Sequence, residues 1–286
     1  EPALIAALSQ DNGSAQVADI LFGITSRHAS YYQARWIDQQ GMERVRLQRY
    51  GRRIQHVPTS ELQDKSSRYY FQDAINVAPG NVYFSPIDLN VEYGEVERPF
   101  RPMIRAAIRV FDDAGHDRGI VIINDSLTPM FEWLEHSTTG SLLLMANSAG
   151  DWLRGFSRQD EWGFMFGKPR RIGDQSEIVW EAMGNQPSGT LVQPEGIWIW
   201  NVAHTGERQW GYEETMDYQH APNLLLVSFI SNTELLQLVS RESGHVWVGC
   251  ISVGMILWGL LTAFLYFRCR HQDVSLQLQE SERLRE

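Results

Sequence analysis

MIRAAIRVFDDAGHDRGIVIIN, residues 103–124, is the most regular stretch of the chain and consists of two apolar runs around a polar turn. The runs 103–111 and 119–124 have the length and the β-branched content of strands, and the turn formers between them predict a hairpin. Because side chains alternate along a strand, Arg105 falls on one face of the first run. The opposite face is predicted to be core and consists of Ile104, Ala106, Ile108 and Val110.

The segments around this hairpin predict a helix followed by two sheet-rich units. Residues 1–30 carry apolar side chains at mostly helical spacing, interrupted by Asn12-Gly13, and residues 60–75 are predicted to form a second helix. Two units of about 100 residues each fit the length of the chain. Further strands are predicted at 45–47, 82–85, 141–146, 197–202 and 224–230, with a helix around 178–183.

The segment 246–267, VWVGCISVGMILWGLLTAFLYF, is predicted to be a transmembrane helix. Its 22 residues carry no charge and reach about 33 Å at about 1.5 Å per residue, enough for a hydrocarbon core of about 30 Å. Arg268 and Arg270 follow directly, so the positive-inside rule assigns 1–245 to the periplasm and 268–286 to the cytoplasm of a bacterial inner membrane. The chain begins at Glu1 without a signal sequence, and we expect an upstream targeting segment to be missing.

Composition and motifs narrow the class of protein. The chain has 25 Lys+Arg against 35 Asp+Glu, a net charge of -10, which argues against nucleic-acid binding. Residues 1–245 contain no cysteine, which excludes a disulfide framework and a thiolate-rich zinc site there. The sequence has no G-x-S-x-G, H-E-x-x-H, P-loop or G-x-G-x-x-G motif, and its 8 histidines lack metal-ligand spacing. We predict no catalytic residue, no metal and no cofactor in this fragment.

Several short segments share their order and spacing with a known family. KSSRYYFQDA contains an Arg-x-aromatic-aromatic-x-x-Ala pattern, and VYFSPIDLN follows it as a strand and loop. The matching segments are 35–46, 65–74, 82–90, 147–153 and 161–164. Together they resemble the double-Cache (dCache) periplasmic sensor domains of bacterial transmembrane receptors. The resemblance covers 31–230 and is strongest over 65–124.

This resemblance implies an α/β (α+β) fold: a long N-terminal helix and two tandem PAS-like Cache units with antiparallel sheets, followed by one transmembrane helix. Such domains usually bind small ligands in the membrane-distal unit. They signal to histidine kinases of two-component systems, to cyclic-di-GMP diguanylate cyclases or phosphodiesterases, or to chemoreceptor domains. The implied segments are the N-terminal helix 1–30, distal unit 31–137, proximal unit 138–231, connecting helix 232–245, transmembrane helix 246–267 and cytoplasmic signalling helix 268–286.

A pocket for a small polar metabolite needs fixed donors and aromatic walls. Arg68 beside Tyr70 and Phe71 joins a planar bidentate donor to aromatic rings, which suits a carboxylate or a phosphate. The alternative for Arg68 is a salt bridge on the helix surface, and the alternative for Arg105 is an ion pair with an acid such as Glu97. The candidate ligand-binding residues are Arg68, Tyr70, Phe71, Tyr83, Ser85, Asp88, Arg105, Asn124 and Asp125.

One departure from the family pattern bears on the ligand. Amino-acid-binding members combine a Tyr five residues before the Arg, an Arg-x-Trp-Tyr core and a later Asp. Here Gln63 stands at the first position and Asn124 at the last, although a shift of one residue would put Asp125 there. The carboxylate that holds an ammonium group is therefore missing, which favours a carboxylate ligand without an amine, or no small ligand.

The sequence thus predicts the extracytoplasmic, ligand-sensing portion of a bacterial transmembrane receptor. We expect a homodimer through the N-terminal helix, an embedded membrane anchor and signal transduction to an output domain beyond residue 286. Two alternatives stay open: a module that senses a periplasmic partner protein, and a membrane-anchored enzyme.

Overall fold

The computed structural model describes residues 2–10, 13–136, 141–204, 223–241, 257–259 and 261–262. These residues form a mixed α/β fold whose strand pairings are all antiparallel. The elements up to residue 136 are α1 Pro2–Leu8, α2 Ser14–Arg27, β1 Tyr31–Ile37, β2 Glu43–Tyr50, β3 Arg53–His56, α3 Tyr69–Ala74, β4 Val82–Phe84, β5 Asp88–Leu89, β6 Val91–Glu92, β7 Glu95–Val96, β8 Pro102–Phe111, β9 Asp117–Ser126 and α4 Thr128–His136.

The first sheet has seven strands in the order β3-β2-β1-β9-β8-β4, and β5 also pairs with β8. The hairpin predicted over 103–124 is confirmed as β8 and β9, which pair from Met103–Ser126 outward to Phe111–Asp117. β6 and β7 form a separate two-stranded hairpin outside this sheet.

The elements beyond residue 138 are β10 Leu142–Asn147, β11 Trp152–Arg154, α5 Ile172–Gln175, α6 Glu177–Asn185, β12 Ser188–Gln193, β13 Gly196–His204, β14 Asn223–Ser231 and α7 Asn232–Arg241. The second sheet contains the strands predicted in this part of the chain and has the order β11-β10-β14-β13-β12. The predicted helix around 178–183 is confirmed by α6, whose N-cap Ser176 accepts a hydrogen bond from the backbone of Val179.

The long N-terminal helix expected over 1–30 is instead two helices, α1 and α2. They fold against each other, since Leu4 and Leu8 share one buried cluster with Val17. Gly13 permits this turn, because a Cβ there would lie 1.7 Å from the backbone oxygen of Ala7. Both helices pack apolar side chains in this cluster against strands of the first sheet.

The helix predicted over 60–75 is also shorter than expected. Thr59–Glu61 form one 3₁₀ turn, and α3 begins only at Tyr69. The intervening loop is held to the sheet by its backbone, since the N–H of Lys65 donates to Gly41 at 2.7 Å. These hydrogen bonds compete with helix formation, so tertiary contacts decide the local structure here.

The face of β8 that was predicted to be core is not the more buried one. Ile108, on the face expected to be core, is 37% exposed, whereas Met103, Arg105 and Ala107 on the other face are buried. Both faces are covered in part, because α2 packs on one side of the sheet and α3 on the other. A strand covered on both faces has no single apolar face for the sequence to reveal.

The two sheets meet in a shared apolar core. Ile87 and Leu89, on either side of Asp88, are buried in one cluster with side chains of the second sheet. The backbone N–H of Leu89 also donates to the sulfur of Met165 at 3.0 Å. The buried members from beyond residue 130 are Leu134, Leu143, Met145, Leu153, Trp162, Ala203, Leu224 and Leu226. β5 is therefore in direct contact with the second sheet.

The predicted transmembrane segment lies largely outside the described residues. Within 246–267 the structure describes 257–259 and 261–262, which are helical, and Leu257 and Leu261 pack against the shared core. Among the described residues, no helix is long and apolar enough to cross a membrane. The boundary at 137/138, the end of the connecting helix at 242–245 and the segment 268–286 also fall outside the described residues.

Candidate functional site: a buried charged cluster on the first sheet

A row of polar side chains crosses the first sheet on the face that α3 covers. The pairing register of the strands produces this row. Gln33 pairs with Gln48 on one side and with Asn124 on the other, and Asn124 pairs with Arg105. Directly paired residues point to the same face, so four strands contribute polar groups to one layer. All of them are buried.

Arg35 lies at the centre of this layer. Its guanidinium donates to Oδ1 of Asn124 at 2.7 Å and to the hydroxyl of Tyr70 at 3.1 Å, and it lies 3.4 Å from Glu43. Arg46, its cross-strand partner on β2, lies 3.4 Å from the other oxygen of Glu43. Two like charges thus face each other inside the protein and share one carboxylate.

A second carboxylate enters this site from outside the sheet. Glu92, on the β6–β7 hairpin, accepts a hydrogen bond from the side chain of Gln33 and another from Gln63 at 3.1 Å. The same carboxylate lies 3.7 Å from Arg46 and 4.0 Å from Lys65. We call Arg35, Glu43, Arg46, Lys65 and Glu92 the charged cluster.

The charged cluster has an excess of positive charge. Three cations face two carboxylates, and four of the five side chains are at most 5% exposed, whereas Glu92 is 22% exposed. The Nε atoms of Arg35 and Arg46 are buried and find no acceptor in the part of the chain that the structure describes. A buried positive charge without a counter-charge is costly, so the site is electrostatically suited to an anion.

The pKa values of three groups reflect this field. Burial and the charge of Arg35 lower the pKa of Lys65. Burial alone would raise the pKa of Tyr70, but Arg35, Lys65 and Arg105 lower it below its ordinary value. Burial would likewise raise the pKa of Glu92, yet the neighbouring cations and the hydrogen bond from Gln33 lower it. The site therefore favours the anionic forms of Tyr70 and Glu92 and disfavours the positive charge on Lys65.

Next to the charged cluster, Arg105 forms a second buried ion pair. Its guanidinium lies 2.5 Å from Asp88 and 3.2 Å from the hydroxyl of Tyr69, which itself donates to Asp88 at 2.7 Å. The hydroxyl of Ser85 accepts from the backbone N–H of Arg105 at 3.0 Å. The alternative expectation that Arg105 forms an ion pair is thus confirmed, but its partner is Asp88. Glu97, the acid named as an example, contacts Arg101 instead.

The structure brings several predicted site residues together in this region. Tyr70 and Asn124 contact Arg35 directly, whereas Asp88 and Ser85 contact Arg105. The guanidinium of Arg68 lies 5.6 Å from the ring centroid of Tyr70, at the edge of this group. Among the described residues none forms an ion pair with Arg68, so the predicted surface salt bridge is absent there.

Three predicted residues do not face the charged cluster. Phe71 and the ring of Tyr83 pack in the apolar core under α3, and the Tyr83 hydroxyl donates to Asp73 at 3.0 Å. Asp125 follows Asn124 on β9 and therefore points to the opposite face, where it raises the pKa of Tyr31 together with burial of that ring. Asn124, and not Asp125, therefore lies in the polar layer beside Arg35.

The sequence reasoning missed all five members of the charged cluster. Arg35 and Arg46 interrupt the apolar strand segments Arg35-Trp36-Ile37 and Val45-Arg46-Leu47, and a charge inside such a segment is a usable signal. Glu92 gave no signal, because a carboxylate in a turn-rich segment is normally solvated. Glu92 belongs to the site only because the β6–β7 hairpin folds back over the sheet.

An open cleft of about 720 Å³ lies between α2 and the 3₁₀ turn, and Glu43 of the charged cluster is among its lining residues. Its lining also includes Asp19, Arg44 and His56, which are exposed. The charged cluster is a better candidate site, because its polar groups are buried and convergent. In the described part of the chain, no group of His, Cys, Asp or Glu side chains is arranged to hold a metal ion.

Comparisons with solved structures identify the class of fold. The extracellular domain of a protein described as a histidine kinase, vpHK1S-Z8, superposes with a TM-score of 0.64 at 15% identity, covering 82% of this chain and 80% of that one. A domain of a sensory box/GGDEF family protein from Vibrio parahaemolyticus gives 0.64 at 16% identity, with 79% and 81% covered. The periplasmic sensory domain of the Campylobacter jejuni chemoreceptor Tlp1 gives 0.55 at 10%, with 78% and 80% covered. The fold is that of a bacterial receptor sensor domain.

The family follows from the sequence. Residues 5–210 match the family described as bacterial histidine kinase, sensor domain. The chain belongs to that family, and the resemblance to Cache-type receptor sensors is confirmed. No curated protein matches the chain by sequence.

Proposed function

We propose that this chain is the extracytoplasmic ligand-sensing portion of a bacterial transmembrane receptor and binds a small anionic metabolite at the charged cluster. The observation that carries the proposal is the buried excess of positive charge around Arg35, Arg46 and Lys65. A neutral or cationic ligand would leave this excess charge uncompensated. We place this site in the proposed membrane-distal unit, residues 31–137.

Carboxylate is the anion that the donor set suits best. Arginine offers a planar fork that matches a carboxylate, and the neighbouring amides of Gln33, Gln63 and Asn124 add neutral donors. An ammonium group would meet Arg35 and Lys65 as like charges. The proposed ligand is therefore a carboxylate without an amine.

The shared core offers a route for the signal. Asp88 pairs with Arg105 beside the charged cluster, and its chain neighbours Ile87 and Leu89 pack against the second sheet. The last strand of that sheet, β14, continues directly into α7. We propose that ligand binding changes the packing at β5, and that the proximal unit 138–231 passes this change through the connecting helix 232–245.

The membrane arrangement is part of the same proposal. Residues 246–267 would anchor the receptor and 268–286 would carry the signal to a cytoplasmic histidine kinase or cyclic-di-GMP output domain. Within this segment, Leu257 and Leu261 pack on the shared core, so this part of it contacts the outer domain. Alkaline extraction of membranes that express the full chain tests the anchor: an integral protein stays in the pellet, and release into the supernatant would contradict it.

A homodimer is proposed to form through the exposed face of the N-terminal helices. Ile5 on α1 and Phe22 on α2 are apolar and exposed. Sedimentation of the full chain in detergent is expected to show a concentration-dependent dimer that Phe22→Glu weakens. A monomer at every concentration would contradict it.

The ligand proposal is tested by thermal unfolding of the full chain in detergent against a panel of mono-, di- and tricarboxylates, with the uncharged amides as controls. At about 100 times its dissociation constant, a ligand adds about 2.7 kcal/mol of stability. We expect a carboxylate to stabilise the wild type and to lose this effect in Arg46→Gln. Arg44→Gln is the matched control, because Arg44 lies on the same strand but points to solvent and pairs with Asp38.

A protein partner is the second candidate function, and one observation favours it. Phe100 and Phe166 stack with ring centroids 5.7 Å apart, one from each half of the chain, and both remain exposed. Exposed aromatic pairs of this kind are common at protein interfaces. A folded wild type that no member of the panel stabilises would favour this candidate.

A further inference from the structure

Glu92 is held in the charged cluster in the way that a protein holds a carboxylate ligand. Its two oxygens accept from the amides of Gln33 and Gln63, with Asn90 at 3.4 Å, and they face the cations of Arg46 and Lys65. Among the described residues, no other acidic side chain from outside the first sheet contacts Gln33, Gln63, Arg46 or Lys65. The carboxylate thus fills the polar centre of the site from within the chain.

The element that carries Glu92 is small, and it packs against the shared core through Val96. β6 and β7 have two residues each, pair only with each other and are joined at Tyr93 and Gly94, both with positive φ. Tyr93 is 66% exposed, and Glu92 is the most exposed member of the charged cluster. Moving this hairpin outward would open the cluster to solvent without breaking the seven-stranded sheet.

We propose that Glu92 is an internal competitor for the ligand, and that a small dicarboxylate binds by exchanging with its carboxylate and releasing the β6–β7 hairpin. This inference rests on the proposed function and adds the ligand class and the residue that sets affinity.

The charge balance selects a dianion. With Glu92 in place, the three cations face two carboxylates, which leaves one positive charge. When Glu92 leaves, only Glu43 remains, and the site carries two positive charges. A dicarboxylate neutralises both, whereas a monocarboxylate only replaces the charge that Glu92 removed. Exchange with a dianion therefore lowers the electrostatic cost of the buried cations, and exchange with a monoanion does not.

Isothermal titration of succinate into the full chain in detergent tests this exchange, with acetate and succinamide as probes of charge. Removing the competitor is expected to tighten succinate binding at least tenfold in Glu92→Ala and also in Glu92→Gln, which keeps the size of the side chain. The ratio of succinate to acetate affinity should stay above tenfold in both variants, and succinamide should not bind. Glu95→Ala is the matched control, because Glu95 is the exposed cross-strand partner of Glu92 on the same hairpin. Its succinate affinity should equal that of the wild type.

Hydrogen exchange on the wild type provides a readout that needs no variant. Succinate should speed the exchange of the hairpin amides of 91–96 while slowing exchange at 35 and 46. Binding of succinate with equal affinity to the wild type and to both Glu92 variants would overturn the competitor role while leaving anion sensing intact. If no carboxylate bound to the wild type or to the folded variants, anion sensing itself would fail.

Discussion

The Nη1 atom of Arg105 lies 2.5 Å from Oδ1 of Asp88, and both side chains are buried where the charged cluster meets the shared core. A buried ion pair gains little over an apolar pair of the same shape, but the loss of one partner leaves an uncompensated charge. The contact therefore locks β5 against β8 and makes this junction sensitive to any change in charge nearby.

Asp88→Asn is expected to destabilise the protein strongly, because Arg105 would stay buried without a counter-charge. The free energy of unfolding in urea should fall by about 3–5 kcal/mol. Asp117→Asn is the matched control, since Asp117 on β9 pairs with Arg109, which lies on β8 like Arg105, at a partly exposed position. Its cost should be at most about 1 kcal/mol. Equal losses in the two variants would show that burial of the Arg105 pair does not matter.

Tyr70→Phe removes the hydroxyl that accepts from Arg35 and keeps the ring. We expect a loss of about 1–3 kcal/mol, because a buried guanidinium N–H loses its acceptor. The pKa of Tyr70 is lowered from its ordinary value of 10.0. Absorbance of tyrosinate against pH should therefore lose an early-titrating component in this variant. Tyr83→Phe, whose hydroxyl donates to the exposed Asp73, should cost less and keep that component.

Glu92 links stability to pH. The pKa of its carboxylate is lowered from 4.5, so its contribution to folding is complete above that value and is lost as the pH falls through the lower, folded-state pKa. In urea titrations from pH 7 to pH 3, the stability difference between wild type and Glu92→Gln should shrink as the pH falls. Glu95→Gln should stay within about 0.5 kcal/mol of the wild type throughout. A Glu92→Gln difference that is constant with pH would contradict the lowered pKa.

Leu89→Ala is expected to weaken the connection between the two sheets. The side chain is fully buried in the shared core, so its truncation should cost about 2–5 kcal/mol. Hydrogen exchange should then accelerate at β5 and at β10 and β14 together. Ile108→Ala, on the same sheet but 37% exposed, should cost about 1 kcal/mol or less and leave the second sheet unaffected. Acceleration confined to the first sheet would remove the proposed signal route.

The strands could be predicted because their periodicity is local. The β8–β9 hairpin and α6 follow from runs of apolar residues bounded by turn formers and by a capping serine. The helix limits were predicted less well. In 1–30 and 60–75, backbone contacts with distant segments outweigh the helix propensity of the residues, and no local pattern records such contacts.

The residues of the site were likewise predicted only in part. Tyr70, Asp88, Arg105 and Asn124 were predicted because the family motif marks their positions. The charged cluster was not, because its members come from four segments that are distant in sequence.

By itself the sequence determined the antiparallel strands, the acidic cysteine-free character of residues 1–245 and membership of a sensor family, since periodicity, composition and motif spacing are properties of the chain. Only the tertiary structure decided that Asn124 rather than Asp125 faces the site, and that Glu92 folds back onto Arg46 and Lys65. Strand register and hairpin placement fix which charges meet. The contacts between these charges produce the buried excess of positive charge on which the proposal of an anionic ligand rests.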